Sequence, residues 1–441
     1  MSLLTTVARA VQTLLGPLAD EVAQEIPVVQ RRRKFTPATL AQTFILGFLA
    51  KPRASDEDLA RTAALGGVAV TTQAVEQRFS ATLATFLETL FRRAVCHQVP
   101  ADSTLAPLVE RFPAVILQDS TTIPLPDALR DRFPGCGGSY GGGQAAMKLQ
   151  VRLALRSGAL DAVAVEAGKD CDQRTPLQSA PLPQGGLRIT DLGSFDSKVF
   201  QGVQERGDFW LSRLAFGTEI FTPEGQPITR IEDLFGPSQA VVDRPVLLTK
   251  QARIPCRIVI WGVPEEVANR RRQKLIAKAR DKGGPMPSRE RLAWCGWTIF
   301  VTNVPSDLLS PEEIAALYRA RWQIELMFKR WKSLGRVADL TGSTVTRQVV
   351  GLWSRLLAML VPHWLLLGCA WGDRCCSHHK ACATIRDLAT HLATAVGDLE
   401  RLTHEIARLQ EILRKLARRD KRKQPGTFEL LNDPSLLGYQ S

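Results

Sequence analysis

Four polar side chains recur at helical spacing between residues 318 and 332. They are Tyr318, Arg321, Glu325 and Lys332, with the last three at offsets of 3, 7 and 14 from the first. At about 100° per residue, all four fall within roughly a 60° arc of one helix face. On that face the carboxylate can bind a divalent ion while the cations and the phenol bind phosphate oxygens. A solvated face with incidental charge pairs is the alternative, because Arg321 and Glu325 also form an i,i+4 pair.

The residues before this group carry a helix start signal. Ser310 supplies an N-cap, Pro311 a first-turn proline, and Glu313 the third position of a capping box. The sequence therefore predicts one helix that begins at Ser310 and continues to Lys332.

A single carboxylate cannot hold two divalent ions, so further acidic ligands must come from other elements. Asp119 follows the apolar run 114–117, and Asp191 follows the run 187–189. A carboxylate at the end of a buried strand has a fixed backbone, which suits a metal ligand. Asp196 and Asp208 are rival ligands, each also typical of a loop cap or turn. Two strand aspartates and a helix glutamate make an oxygen-only site suited to magnesium or manganese.

The first hundred residues have helix signals. Thr36 before Pro37 predicts one helix start, and Ser55 with Asp58 predicts a capping box for a second helix that ends near 66–67. A third helix is predicted from residue 71 or 72 through 86. Helix, glycine turn and longer helix resemble a helix-turn-helix, with a three-helix packing module as the alternative. The basic run 31–34 lies just upstream and is suited to phosphate contacts.

Short apolar and alternating runs from residue 112 onwards predict β-strands, and helices return after residue 305. The sequence thus predicts an α/β fold with a β-rich insertion and helical flanks. We assign five segments: 1–100, a helical DNA-binding domain; 110–214, the first part of the core; 215–295, the insertion, which includes a basic stretch at 270–282; 296–372, the second part of the core; and 373–441, a C-terminal helical region with a basic tail.

The overall composition favours a polyanionic partner. The formal net charge is +13 and the isoelectric point is about 9.6. The longest apolar run, 356–371, is too short for a membrane span and predicts a buried core helix. The nine cysteines lack the paired spacing of a secreted disulfide scaffold. We expect a cytoplasmic, nucleoid-associated protein that does not enter a membrane.

The same helix segment resembles a known family. Tyr318, Arg321, Glu325 and Lys332 have the spacing of the Tyr-Arg-Glu-Lys signature of insertion sequence 4 family transposases. The contexts RWQIE and KRWK, together with LQDSTTI and ITDLGSFD upstream, also resemble that family. The resemblance covers about residues 110–350 and implies a DDE transposase with an RNase H-like core.

The resemblance also implies residue roles. Asp119, Asp191 and Glu325 are expected to bind two Mg²⁺ or Mn²⁺ ions, and Tyr318, Arg321 and Lys332 the phosphate at the transposon end. Further DNA contacts are expected from Lys329 and Arg213. An insertion aromatic in relatives stacks on a flipped base, and Trp297, with Trp294 behind it, is the candidate here; a core role is the alternative for both tryptophans.

The implied reaction is cut-and-paste transposition through two-metal phosphoryl transfer. Its expected partners are double-stranded DNA, as transposon ends and target, and a second copy of the chain in a homodimer. The late amphipathic face at 402–416 either pairs protomers or packs within the chain. Two other functions remain open: an RNase H-like nuclease without strand transfer, and an inactive DNA-binding protein derived from a transposase.

Overall fold

The computed structural model describes residues 2–30, 34–97, 99, 106–137, 144–234, 241–281, 283–420 and 424–437. Its fold is mixed α/β, as the sequence predicts. The chain divides into two compact units. Unit 1 comprises Met1–Leu105, Ser120–Cys171 and Ile324–Arg422; unit 2 comprises Ala106–Asp119, Asp172–Gln323 and Lys423–Ser441. The five segment boundaries assigned from the sequence remain predictions.

The secondary structure elements follow in chain order. The helices are α1 (Leu3–Leu14), α2 (Pro17–Glu25), α3 (Pro37–Ala50), α4 (Asp56–Leu65), α5 (Thr72–Glu76), α6 (Ala81–Ala94), α7 (Pro107–Glu110), α8 (Ser197–Glu205), α9 (Glu265–Asp281), α10 (Arg289–Trp294), α11 (Pro311–Ala320), α12 (Trp322–Ser333), α13 (Val345–Cys369), α14 (His378–Asp387), α15 (Ala389–Ala395), α16 (Leu399–Leu416) and α17 (Thr427–Asn432). The strands are β1 (Val115–Leu125), β2 (Ala145–Ala154), β3 (Leu160–Ala167), β4 (Leu187–Thr190), β5 (Phe209–Arg213), β6 (Ile220–Phe221), β7 (Pro227–Ile228), β8 (Val241–Leu248), β9 (Ile254–Gly262) and β10 (Trp297–Thr302).

Helix α13 forms the core of unit 1. It contacts α1, α3, α6 and α14. The helix is long and apolar enough to cross a membrane, with a mean hydropathy of 1.5, yet its apolar window is entirely buried. Its interior also holds buried Arg355 and His363. Helix α13 is therefore a core helix, as predicted.

The predicted starts of α3 and α4 are confirmed. Thr36 caps α3 and Ser55 caps α4, each in a capping box. The single helix predicted through residue 86 is wrong, because α5 ends at Glu76 and a separate helix, α6, starts at its N-cap Ser80, whose side chain accepts a hydrogen bond from the Leu83 amide. A serine side chain competes for backbone hydrogen bonds and so favours a helix start over a helix interior. The helix after the glycine turn, α5, is therefore only five residues long, and the longer second helix of the helix-turn-helix outline does not form. Residues 31–33 of the basic run lie outside the described part of the chain.

The late amphipathic helix packs within its own unit. Leu402, Ile406, Leu409 and Leu413 on α16 are buried, and the helix contacts α1, α14 and α15. Packing within the chain is therefore confirmed for these four side chains, whereas Leu416, at the end of the same face, is 66% exposed, and pairing of protomers stays a prediction.

Unit 2 holds most of the β-structure, in the order β1-β4-β5-β10-β9-β8-β6-β7. Strands β1, β4 and β5 are parallel neighbours, and β10 is antiparallel to both β5 and β9. The strands of segment 215–295 thus continue the sheet of unit 2 through the β9–β10 pair. In unit 1, β2 pairs antiparallel with β3, and β1 is the next strand after β2 in the sheet order.

Candidate active site

Two of the predicted carboxylates emerge from neighbouring parallel strands of unit 2. The register of β1 and β4 pairs Gln118 with Thr190. Asp119 directly follows Gln118, and Asp191 directly follows Thr190. Adjacent strands lie about 4.8 Å apart, so the backbones of the two aspartates lie side by side.

Strand β1 differs from its predicted length. The sequence predicts a strand that stops before Asp119, whereas β1 continues to Leu125, with Asp119 buried at 8% exposure. The polar run 120–122 does not read as core, yet its threonines are β-branched and suit a half-exposed strand. Asp119 therefore has strand backbone on both sides, which holds its position more firmly than a strand end would.

Asp191 is held by a tight turn. Its Oδ1 accepts hydrogen bonds from the backbone amides of Gly193 (3.0 Å) and Ser194 (3.2 Å). A Cβ added at Gly193 would lie 3.2 Å from Asp172 Oδ2 and 3.3 and 3.4 Å from the two carboxylate oxygens of Asp191. Asp172 is therefore close to Asp191. The sequence analysis missed Asp172, because it lies in a short 3-10 helix and follows no apolar run.

Arg321, one of the four signature residues, forms a direct contact with Asp119. Its Nη1 donates a hydrogen bond to Asp119 Oδ2 at 2.5 Å. The predicted single helix from Ser310 to Lys332 is wrong, because it is divided at Arg321 into α11 and α12. The start at Ser310, with its capping box, is confirmed. The sequence around Arg321 contains neither glycine nor proline, so no local residue predicts that the helix is divided there.

Tyr318 is largely enclosed. The centroid of the Tyr318 ring lies 4.9 Å from the centroid of the Phe300 ring and 5.7 Å from the Arg321 guanidinium. Burial raises the pKa of the Tyr318 hydroxyl, and the charges of Arg321 and Arg213 oppose part of that rise. Tyr318 therefore remains a neutral hydrogen-bond donor, and Arg213 belongs to the same electrostatic neighbourhood.

The other predicted residues of the signature belong to unit 1. Glu325 lies in the first turn of α12 and is half-buried, while Lys329 and Lys332 are exposed later on the helix. The Lys332 ammonium donates to the carbonyl oxygen of Thr122 at 2.8 Å. Surrounding protein atoms desolvate that ammonium in part and lower its pKa.

Trp297 begins β10 and is partly buried against the hydrophobic cluster of unit 2, as is Trp294. Its role in base stacking remains a prediction beside the core role. Trp322, the residue after Arg321, is 44% exposed. It is the more accessible indole of unit 2, and the sequence analysis did not select it.

The rival aspartates have local structural roles. Asp196 caps α8 by accepting from the Lys198 amide at 2.9 Å. Asp208 is 3% exposed and accepts from the Gly185 amide at 3.0 Å. Both roles match the loop-cap and turn functions that the sequence left open for them.

Among the described residues, no set of three or more His, Cys, Asp or Glu side chains is arranged to hold a metal. Asp119 and Asp191 nevertheless supply the hard oxygen donors that Mg²⁺ and Mn²⁺ prefer. The donor chemistry therefore fits these ions, and Arg321 supplies positive charge to one of the two carboxylates.

Comparison with known proteins gives consistent similarities. Residues 110–361, more than half of the chain, match the family model of the transposase DDE domain. The chain is 24% identical over 446 residues to the transposase for insertion sequence element IS231F of Bacillus thuringiensis subsp. israelensis, covering 93% of this chain and 91% of that protein. It is 22% identical over 312 residues to the transposase for insertion sequence element IS1151 of Clostridium perfringens, covering 66% and 65%. A piggyBac transposase synaptic complex with hairpin DNA aligns with a TM-score of 0.44 at 9% identity, over 95% of this chain and 86% of that chain. That similarity is too low to support an inference.

Proposed function

We propose that this chain, which belongs to the transposase DDE domain family and is a DNA transposase of the insertion sequence type, catalyses cut-and-paste transposition. We also propose that it carries the signature of the insertion sequence 4 family. The enzyme cleaves and transfers DNA strands.

We propose Asp119, Asp191 and Glu325 as the catalytic carboxylates and metal ligands. This assignment rests on the parallel pairing of β1 with β4, because the last paired residues directly precede Asp119 and Asp191. Glu325 lies in the first turn of α12, the helix that follows Arg321. Arg321 is the residue hydrogen-bonded to Asp119. All three lie within the matched domain, 110–361.

The strand order supports an RNase H-like core. The strand β2 lies between β3 and β1 in the sheet order. In unit 2, the earlier part of β1 is followed by β4 and β5 in parallel. A carboxylate pair at adjacent strands of a rigid sheet is held more reproducibly than one on loops.

The basic and phenolic residues have the chemistry of phosphate contacts. Arg321 orients Asp119 by direct hydrogen bonding and keeps a planar guanidinium beside Tyr318. We propose that Tyr318, Arg321 and Lys332 bind the phosphate at the transposon end, with Lys329 and Arg213 as further contacts. Each neutralises or hydrogen-bonds a phosphate oxygen, which positions the scissile bond without reading sequence.

The reaction consists of two kinds of phosphoryl transfer. Attack of water on the phosphodiester at the element's end breaks the P–O3′ bond and releases a 3′ hydroxyl. That hydroxyl then attacks a second phosphodiester, either on the opposite strand to give a hairpin or in target DNA. The new P–O bond forms as the P–O3′ bond of the attacked strand breaks, which frees the 3′ hydroxyl of that strand. Two Mg²⁺ or Mn²⁺ ions, when bound by the three carboxylates, would activate the attacking oxygen and stabilise the leaving oxygen.

Two transposon ends must be held together for transfer. We propose a homodimer on paired ends, acting in the cytoplasm on nucleoid DNA. Its partners are double-stranded DNA as both donor and target.

The test is cleavage of a duplex carrying the inverted repeat that flanks the gene. Asp119→Asn, Asp191→Asn and Glu325→Gln should each lower the cleavage rate at least a hundredfold, about 3 kcal/mol in the barrier, with end binding retained. Asp196→Asn is the matched control, because Asp196 caps α8, and it should cut normally. Retained cutting by Glu325→Gln would refute the assignment, and cleavage without joined products in the wild type would indicate a nuclease.

A further inference from the structure

Helix α9 is packed on one side only. Of its 17 residues, Ala268 is fully buried, and a half-buried face surrounds it, formed by Val267, Arg271, Arg272, Leu275, Ile276 and Ala279. Surface helices normally bury a continuous apolar stripe against the core. Six of the residues are Lys or Arg and three are Asp or Glu, so the helix is both polar and basic. Its outward face requires an explanation other than packing.

Two of its arginines attach the helix to unit 2. Arg271 Nη1 donates to the carbonyl oxygen of Trp297 at 3.0 Å, and its Nη2 donates to Thr298 Oγ1 at 3.2 Å. Arg272 Nε donates to the carbonyl oxygen of Leu292 at 3.2 Å. Burial, with the charge of Arg213, lowers the pKa of Arg271. These two cations thus hold α9 against β10 and α10.

Three other cations form a row on the outward face. Arg270, Lys274 and Lys278, here called the α9 cationic stripe, are four residues apart and all exposed. Successive members differ by about 40° around the axis and lie about 6 Å apart along it. The side chain of Arg270 is 63% exposed and 3.9 Å from Glu266. Among the described residues, Lys274 and Lys278 form no ion pair.

We propose that the α9 cationic stripe binds the phosphate backbone of duplex DNA independently of sequence. The stripe spans about 12 Å, and a duplex has one negative charge per roughly 1.7 Å of axis. Because the backbone of the helix is already anchored, the conformational entropy lost on binding is confined to the three cationic side chains. The inference rests on the proposed function in needing DNA as the partner, and it adds a contact surface outside the catalytic residues.

The stripe belongs to unit 2, which also contains Asp119 and Asp191. A duplex contacting α9 is therefore held by the same unit that holds Asp119 and Asp191. We expect the stripe to contribute to affinity and to leave the chemical step unchanged.

The experiment measures duplex binding against salt concentration in Ca²⁺ buffer. The variant Arg270→Gln/Lys274→Gln/Lys278→Gln is compared with the wild type, on end DNA and on an unrelated duplex. Each lost phosphate contact should reduce the slope of log K against log salt by about 0.9. We expect a reduction between about 2 and 3, and at least tenfold weaker binding of both duplexes at 0.1 M salt.

A charge-matched control separates contact from net charge. Arg230→Gln/Lys250→Gln/Arg280→Gln removes the same charge from exposed positions of unit 2 and should leave the slope nearly unchanged. An unchanged slope in the stripe variant, an equal loss in the control, or a loss confined to end DNA would overturn the inference. The catalytic assignment is judged separately, from cleavage by Glu325→Gln, which should bind with the wild-type salt slope.

Discussion

Gly193 leaves room for two acidic side chains at once. A methyl group at this residue would come within 3.2 to 3.4 Å of oxygens of Asp172 and Asp191, tighter than ordinary van der Waals contact. The Gly193 amide also donates to Asp191. The absence of a side chain therefore sets where the Asp191 carboxylate can lie.

We predict that Gly193→Ala lowers the rate of end cleavage at least tenfold while the melting temperature changes little. The added Cβ must displace a carboxylate, and a misplacement of about 1 Å can cost a hundredfold in rate. Gly202→Ala on α8 is the matched control, since its Cβ would meet only Arg206 Nη1 at 3.6 Å and alanine favours a helix by about 1 kcal/mol. Equal cleavage by the two variants would contradict the prediction.

At the scale of the element, helix α12 carries a cation on its inner side. Arg330 is 4% exposed, and its Nη2 has no hydrogen-bond partner among the described residues. Burial lowers its pKa. A buried charge that lacks a carboxylate partner costs folding free energy, and replacement by an apolar residue of similar volume is often neutral or stabilising.

We therefore predict that Arg330→Met leaves the free energy of unfolding of unit 1 unchanged or raises it by about 1 kcal/mol or more. Urea denaturation followed by tryptophan fluorescence measures it. Arg401→Met, on the exposed face of α16, is the control and should have little effect. A loss of more than about 2 kcal/mol, in the range expected when a buried charged group loses its bonding, would show that Arg330 is satisfied in solution.

At the scale of the whole molecule, two buried histidines make stability depend on pH. His363 faces the Gly158 carbonyl oxygen at 2.9 Å, and His378 stacks on Trp371. Burial, together with the charge of Arg330, lowers the pKa of each from 6.5 to about 3. The unfolded chain therefore binds more protons between these values, so stability present above about pH 6.5 is lost as the pH falls towards 3.

The expected loss is up to about 1.4 kcal/mol per pH unit for each histidine. The double variant His363→Gln/His378→Gln should show a flatter dependence of unfolding free energy on pH between 6 and 4, even if it is less stable at pH 7. His379→Gln is the control, because His379 is an exposed neighbour. The prediction fails if the double variant and the wild type lose stability in parallel.

The sequence by itself determined the local elements and the residue types of the site. Capping at Thr36, Ser55 and Ser310 is confirmed because it depends on side chains within three residues of the helix start. The spacing of the signature residues and the positions of Asp119 and Asp191 after apolar runs were likewise predictable, since each pattern lies within one short segment. The strand segments that precede these two aspartates were predicted for the same reason.

Only the tertiary structure decided what depends on contacts between distant residues. The division of the signature helix at Arg321 accompanies a bond to Asp119, a residue 202 positions away in the chain. The length of β1 depends on neighbouring strands, and the burial of the α16 face depends on α1. The approach of Asp172 to Asp191 depends on Gly193. A pattern along the chain describes what a segment can form, whereas its partners determine where it ends and which face is covered.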